Sequence, residues 1–268
     1  MQDPTLPSPP LSYGRVNWLG FWTLLSKEVR RFLKVYFQTI VAPVVTTLLF
    51  LAIFSLALGR VAAGVKGVPF LAFLAPGLIM MAMVQNAFAN TSSSIIIAKV
   101  QGNIVDMLMP PLSPAEQTVA VALGGVARGL AVGLAVAAAM AVFTPLSAAH
   151  PGFILFHAVG GALMLSLLGM IGGIWADKFD HMAAVTNFVV TPLSFLSGTF
   201  YSIDRLPEGF HAFALANPFF YMIDGFRYGF IGASDGPVWM GVAVVAGADL
   251  ALGWLTWRML ATGYKLKA

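Results

Sequence analysis

The sequence predicts an all-helical membrane protein with six transmembrane helices, and three observations predict it. Of 268 residues, 59% are hydrophobic and only 10% are charged, where soluble domains carry roughly 25% charged residues. The mean hydropathy is +0.84. The apolar residues gather into separate runs close to the ~20 residues that an α-helix needs to cross a ~30 Å hydrocarbon core.

Residues 1–14 are expected to be a disordered tail, polar and proline-rich without periodicity, and no cleavable signal is apparent there. Residues 15–34 read as an amphipathic helix. Trp18, Phe21, Trp22, Leu25, Val29, Phe32 and Leu33 recur at helical spacing, with Lys27, Arg30, Arg31 and Lys34 around the other side. That pattern suits a helix lying in the membrane interface, and the alternative is a soluble amphipathic helix packed on a partner.

From residue 35 onward the chain reads as one six-span transmembrane domain, 35–268, with no internal repeat. The spans are expected at 35–59, 70–97, 116–143, 153–176, 181–196 and 238–261. The link at 99–116 is more than a tight turn. Gly102 lets the chain reverse, Ile104, Asp106, Met107, Leu108 and Met109 have room for one or two helical turns, and Pro110 and Pro111 stop them. Ser113, Pro114 and Glu116 then form a capping box for the third span.

The stretch 197–236 cannot be a spanning helix, because Pro207 and Pro218 each remove a backbone donor, yet it is too aromatic for a solvated loop. Irregular backbone at membrane depth is tolerated where protein or a wet cavity covers it. Two short helices re-entering the bilayer from one face fit this composition. Its aromatics, including Phe200, Tyr201, Phe219 and Tyr221, suit an outer gate or an interface belt. Arg205 and Arg227 are expected near the outer headgroups.

Orientation follows from Lys and Arg. With the N-terminus inside, Arg15, Lys27, Arg30, Arg31, Lys34, Lys99, Lys178, Arg258, Lys265 and Lys267 are cytoplasmic. Arg60, Lys66, Arg205 and Arg227 are outside, and Arg128 lies within span three. This bias places both termini in the cytoplasm. A basic excess of this kind, formal charge +4, is membrane anchoring and implies no nucleic-acid partner.

Chemistry-bearing constellations are sparse. There is no cysteine, hence no disulfide or thiolate site. The nearest approach to a phosphate-binding loop, residues 59–64, continues into Val65 before Lys66 and has no hydroxyl next. His150, His157, His181 and His211 are scattered without ligand spacing. Neither a catalytic set nor a metal site is expected.

The spans carry polar stripes instead. Asn86, Asn90 and Ser93 share a face of span two, with Gln85 and Ser94 beside them, and Asn187, Thr191 and Ser194 share a face of span five. Such faces either line a path or bond helix to helix. Gly125, Gly129 and Gly133 in span three, and Gly169 and Gly173 in span four, form small-residue seams for close packing. Arg128 and Asp249 are the deepest ions, at depths that would let them pair. The alternatives are a protonated Asp249 and an Arg128 that snorkels outward.

The order Ser197-Gly198-Thr199-Phe200-Tyr201, then Leu206-Pro207, Asn217-Pro218, an aromatic run and Arg227 resembles the signature of type-2 ABC transporter permeases, the class that exports polysaccharides, lipids and drugs. Ser202 stands where that family often has proline. The resemblance covers nearly the whole chain from Trp18.

It implies the membrane subunit of an ATP-driven exporter for an amphiphile: a lipid-linked saccharide, a lipid or a hydrophobic drug. Two separate ABC ATPase subunits would carry the ATP and magnesium, and a second permease protomer would complete a dimer in the cytoplasmic membrane. It further implies that Ile104–Met109 is a coupling helix docking on the ATPase, with Lys27, Glu28 and Arg30 of the interfacial helix moving alongside. Gln85, Asn86, Asn90, Ser93, Asn187, Thr191 and Ser194 would line the path between spans two and five. The alternatives are a secondary transporter with its site at Arg128 and Asp249, or an intramembrane enzyme, for which His157 alone is too little.

Overall fold

A computed structural model describes residues 16–58, 65, 67–205 and 207–266. The tail 1–14, Arg15, Arg60, Lys66, Lys267 and the side chain of Arg205 lie outside the described residues, and with them those parts of the orientation argument.

Among the described residues, five helices are long and apolar enough to cross a membrane. The first begins with a π-helical turn at Phe37–Val41 and continues as α2, Ala42–Leu58, after the amphipathic α1, Trp18–Leu33. The others are α3 (Phe70–Val100), α5 (Pro114–Met140), α6 (Pro151–Trp175) and α11 (Val238–Thr262), and the short α4 (Ile104–Leu108) lies between α3 and α5.

The expected span at 181–196 takes a different form. α7 (Phe179–Val185), a π-helical turn (Thr186–Val190) and α8 (Thr191–Phe195) follow one another without a break. At ~1.5 Å per residue, that helix is shorter than the ~30 Å core. Pro192, in the first turn of α8, has no N–H to donate, and the π turn shifts the register just before it.

α3 is the centre of the molecule. Its N-terminal two-thirds is buried almost all round, as befits a helix apolar on every side, and α5 and α6 flank it. The small-residue seams make this packing possible. A Cβ at Gly129 would stand 2.9 Å from the Met83 carbonyl of α3, and one at Gly173 would stand 3.1 Å from the Ser92 carbonyl. Two hydroxyls lock the same layer: Thr91 Oγ1 donates to the Ser166 carbonyl at 2.7 Å, and Ser166 Oγ to the Ala122 carbonyl at 2.8 Å. The capping box expected before span three is present, with Ser113 accepting from the Glu116 amide and Glu116 accepting from the Ser113 amide.

Candidate coupling face and translocation groove

α1 lies against α5 and buries Phe21, Leu24, Glu28 and Phe32. This stripe is rotated from the one expected: Trp18 and Trp22 are 61% and 57% exposed and point away from the protein. Asn17 starts the helix. Its side chain accepts from the Gly20 amide at 2.9 Å, its own amide donates to Glu116 Oε1 at 2.6 Å, and its Nδ2 donates to the Pro111 carbonyl at 3.1 Å. The start of α1, the end of the link and the start of α5 are therefore bonded together.

Glu28 is a correction to the sequence reading. Instead of facing outward beside Lys27 and Arg30, its side chain is 2% exposed. It accepts from Ser94 Oγ at 2.7 Å and from Arg31 Nη2 at 3.0 Å. Arg31 in turn donates to Ser93 Oγ at 3.0 Å and to the backbone carbonyl of Asn90 at 2.6 Å. Burial of a carboxylate is tolerated because it is paired and hydrogen-bonded. The polar stripe of span two is thus largely covered within the protomer. Asn90 and Ser93 bond α1, and Asn86 Oδ1 accepts from Arg128 Nη2 on α5 at 2.9 Å. Within the protomer Asn86 and Asn90 join helices.

The same contact answers the Arg128–Asp249 expectation. Arg128 turns to Asn86 of α3, while Asp249 lies against Gly160 of α6 with its Oδ1 unpartnered. The two do not pair, because they face opposite neighbours.

α4 sits under α1. Met107 is buried among Phe21, Leu24, Ala120 and Val121, and Ile104 and Leu108 are half-buried. Val105, Asp106 and Met109 face outward, Met109 at 76% exposure. Met107 is therefore the anchor of the short helix and not part of its outer face. A cleft of about 310 Å³ separates α4 from α1, with Lys27 on one wall and Asp106 on the other. Lys27, Arg30, Arg31 and Lys34 line a further open groove along α1.

Of the path residues, Gln85, Ser93 and Thr191 share one groove of about 260 Å³ between α3 and the α7–α8 helix. Asn187 is exposed elsewhere on that helix. Ser194 is fully buried and donates to its own Val190 carbonyl.

The outer segment consists of a 3-10 turn (Ile203–Arg205), α9 (Glu208–Ala216) and α10 (Pro218–Ile231). Asn217 caps α10 by accepting from the Phe219 amide, Pro218 takes its first position, and Gly232 ends it at φ +70°. α10 packs deeply between α3, α6 and α11. Arg227, expected at headgroups, is 1% exposed. It donates to the carbonyls of Gly198 (2.6 Å) and Phe73 (3.3 Å), and its guanidinium lies 3.9 Å over the Phe73 ring. Gly77 of α3 makes room for it: a Cβ there would stand 2.6 Å from the Thr199 carbonyl. Asp224 accepts from the amides of Asp235 and Gly236, and Asp235 accepts from Ser202 Oγ at 2.7 Å. Ser202, the departure from the usual proline, thus closes the loop through its hydroxyl.

The proposed gate aromatics are placed unevenly. Phe219 and Tyr221 belong to the protomer core, Phe200 stacks on Phe54 of α2 with centroids 4.6 Å apart, and Tyr201 is half-buried.

Comparison with known proteins now decides the family. A family model for the ABC-2 type transporter matches residues 20–231. This chain belongs to that family. It is 36% identical over 251 residues to the inner membrane transport permease YadH of Escherichia coli K12, covering 94% of this chain and 98% of the relative. It is also 27% identical to nodulation protein J of Rhizobium leguminosarum bv. viciae, covering 90% of each. The chain is accordingly the membrane subunit of an ABC transporter, and membership implies an ABC ATPase partner.

Proposed function

We propose that this ABC-2 permease works as a dimer in the inner membrane, with both termini cytoplasmic, and exports an amphiphile. ATP hydrolysis on partner ATPases drives it through the face formed by α4 and α1. The observation that carries this reading is the build of α4. It is a single helical turn released from its neighbours by Gly102 (φ +74°) and Pro110–Pro111, pinned by one inward residue, Met107, with Val105, Asp106 and Met109 left outside. A packing element would bury more; a docking element needs this outer face.

Force applied at α4 has a bonded route inward. Met107 shares a buried apolar cluster with Phe21 and Leu24 of α1, Asn17 ties α1 to Pro111 and Glu116, and the Glu28–Arg31 pair ties α1 to Asn90, Ser93 and Ser94 of α3. Movement of the ATPase would tilt α1 and α3 together and widen the groove holding Gln85, Ser93 and Thr191. The outer segment, stapled to α3 by Arg227, would respond as the far end of that lever. The secondary-transporter alternative loses its proposed site, since Arg128 and Asp249 face different helices.

The test is Asp106→Lys combined with Met109→Glu, both on the outer face. Expression and folding should be unchanged, while transport, and its stimulation of the partner's ATP hydrolysis, should be lost. Retention of both activities would reject the coupling role.

A further inference from the structure

Asp249 takes no part in any of this. It sits on α11 thirteen residues before Thr262, about 20 Å from that end of the helix at ~1.5 Å per residue, and so near the middle of a ~30 Å core. It lines a groove of about 320 Å³ between α5, α6 and α11 whose other walls, Ala122, Leu163, Leu167 and Trp257 among them, are almost wholly apolar. The one hydroxyl among the lining residues, Thr118 Oγ1, donates to the Pro114 carbonyl at 2.7 Å. Oδ1 of Asp249 is buried without a hydrogen-bond partner, and among the described residues no ion pair reaches it.

An ionisable group at this depth is costly, at least ~2.5–3.5 kcal/mol on insertion scales, and ordinarily marks a site. The groove falls in the size range of ligand pockets, roughly 300–1,000 Å³, in which apolar walls hold the body of a ligand and a few polar groups orient it. We propose that this groove binds a lipophilic amine in its ammonium form. The N–H would donate to Asp249, and the apolar body would lie along Leu163 and Leu167 towards Trp257. A neutral or anionic amphiphile leaves the carboxylate unanswered. A compact hydrated cation gains nothing from the apolar walls. Because the groove is lined by α5, α6 and α11 and shares no residue with the groove between α3 and α8, it stands independently of the export reading.

Equilibrium binding to the purified chain in discs of neutral phosphatidylcholine tests it, using a radiolabelled secondary arylalkylamine and its neutral isostere with carbon in place of nitrogen. The amine should bind saturably and at least about tenfold tighter than the isostere, a difference of about 1.4 kcal/mol. Asp249→Asn should erase that preference and Asp249→Glu should keep it. Gly253→Leu, which fills the groove where a Cβ has space beside Leu167 (3.8 Å), should abolish binding of both probes with the carboxylate intact. Melting temperatures in the same discs check that each variant is folded. Equal binding of amine and isostere by the unaltered chain, or a preference that survives Asp249→Asn, overturns the proposal. The unaltered chain decides the matter even if a variant unfolds.

Discussion

Two buried charges, Arg227 and Glu28, decide more of this structure than their number suggests, and each was partly legible. Arg227, expected near the outer headgroups, is buried. The better signal was its helix: apart from Asp224 and Arg227, α10 is apolar or aromatic between a clear cap at Asn217 and a clear stop at Gly232, and such a helix is buried. Its arginine must then find carbonyls, and does. Arg227→Leu should remove the hydrogen bonds to the Gly198 and Phe73 carbonyls and cost on the order of 1–3 kcal/mol, read as a fall in melting temperature. Arg227→Lys should recover only part of it, since one ammonium lacks the planar fork that reaches both carbonyls. Glu28 was equally readable, because it follows Phe21 and Leu24 at helical spacing and falls on the stripe that packs. Glu28→Ala should destabilise the chain by a similar amount, with Arg31 left without its carboxylate. The partners of these charges, Ser94 and the Gly198 carbonyl, were not legible, since nothing local in the sequence specifies which helix faces which.

Among the elements, the long helices were easy to find and the irregular ones were not. Spans two, three, four and six begin and end within a few residues of expectation, because length and apolarity alone define them. The Ser113–Glu116 capping box fixed one boundary outright. The π turns at Phe37–Val41 and Thr186–Val190 carry no composition signal, so the shortened, register-shifted course of α7–α8 was hidden. The short helix α4 was recognised, but not its rotation: Met107 faces in. Met107→Glu should therefore lower melting temperature by burying a carboxylate, whereas Met109→Glu should leave it unchanged, a contrast that thermal unfolding resolves. In the turn between α6 and α7, Asp177 is held below the usual carboxylate range, first by its hydrogen bond to Lys265 and then by Lys99. A depressed carboxylate contributes fully above its unfolded value of about 3.9 and loses that contribution only as pH falls through its lower folded value. The turn after α11 should then stay tethered at any pH above about 4. Asp177→Asn should speed hydrogen exchange at the Tyr264 and Leu266 amides at pH 7.

For the whole molecule, energy from a partner ATPase is expected to arrive at the outer face of α4. The chain contains no cysteine, so a single introduced thiol reports from one place without background. The most direct measurement places a thiol-reactive benzophenone at Met109→Cys, at the buried Met107→Cys, or at Leu134→Cys, which is 72% exposed on the flank of α5. Each variant is assembled with the ABC ATPase of its own organism and irradiated. A crosslink to the ATPase is expected from position 109, abolished by Asp106→Lys, and none from 107 or 134. Crosslinking equally from 134, or none from 109 in a complex that hydrolyses ATP, would contradict it.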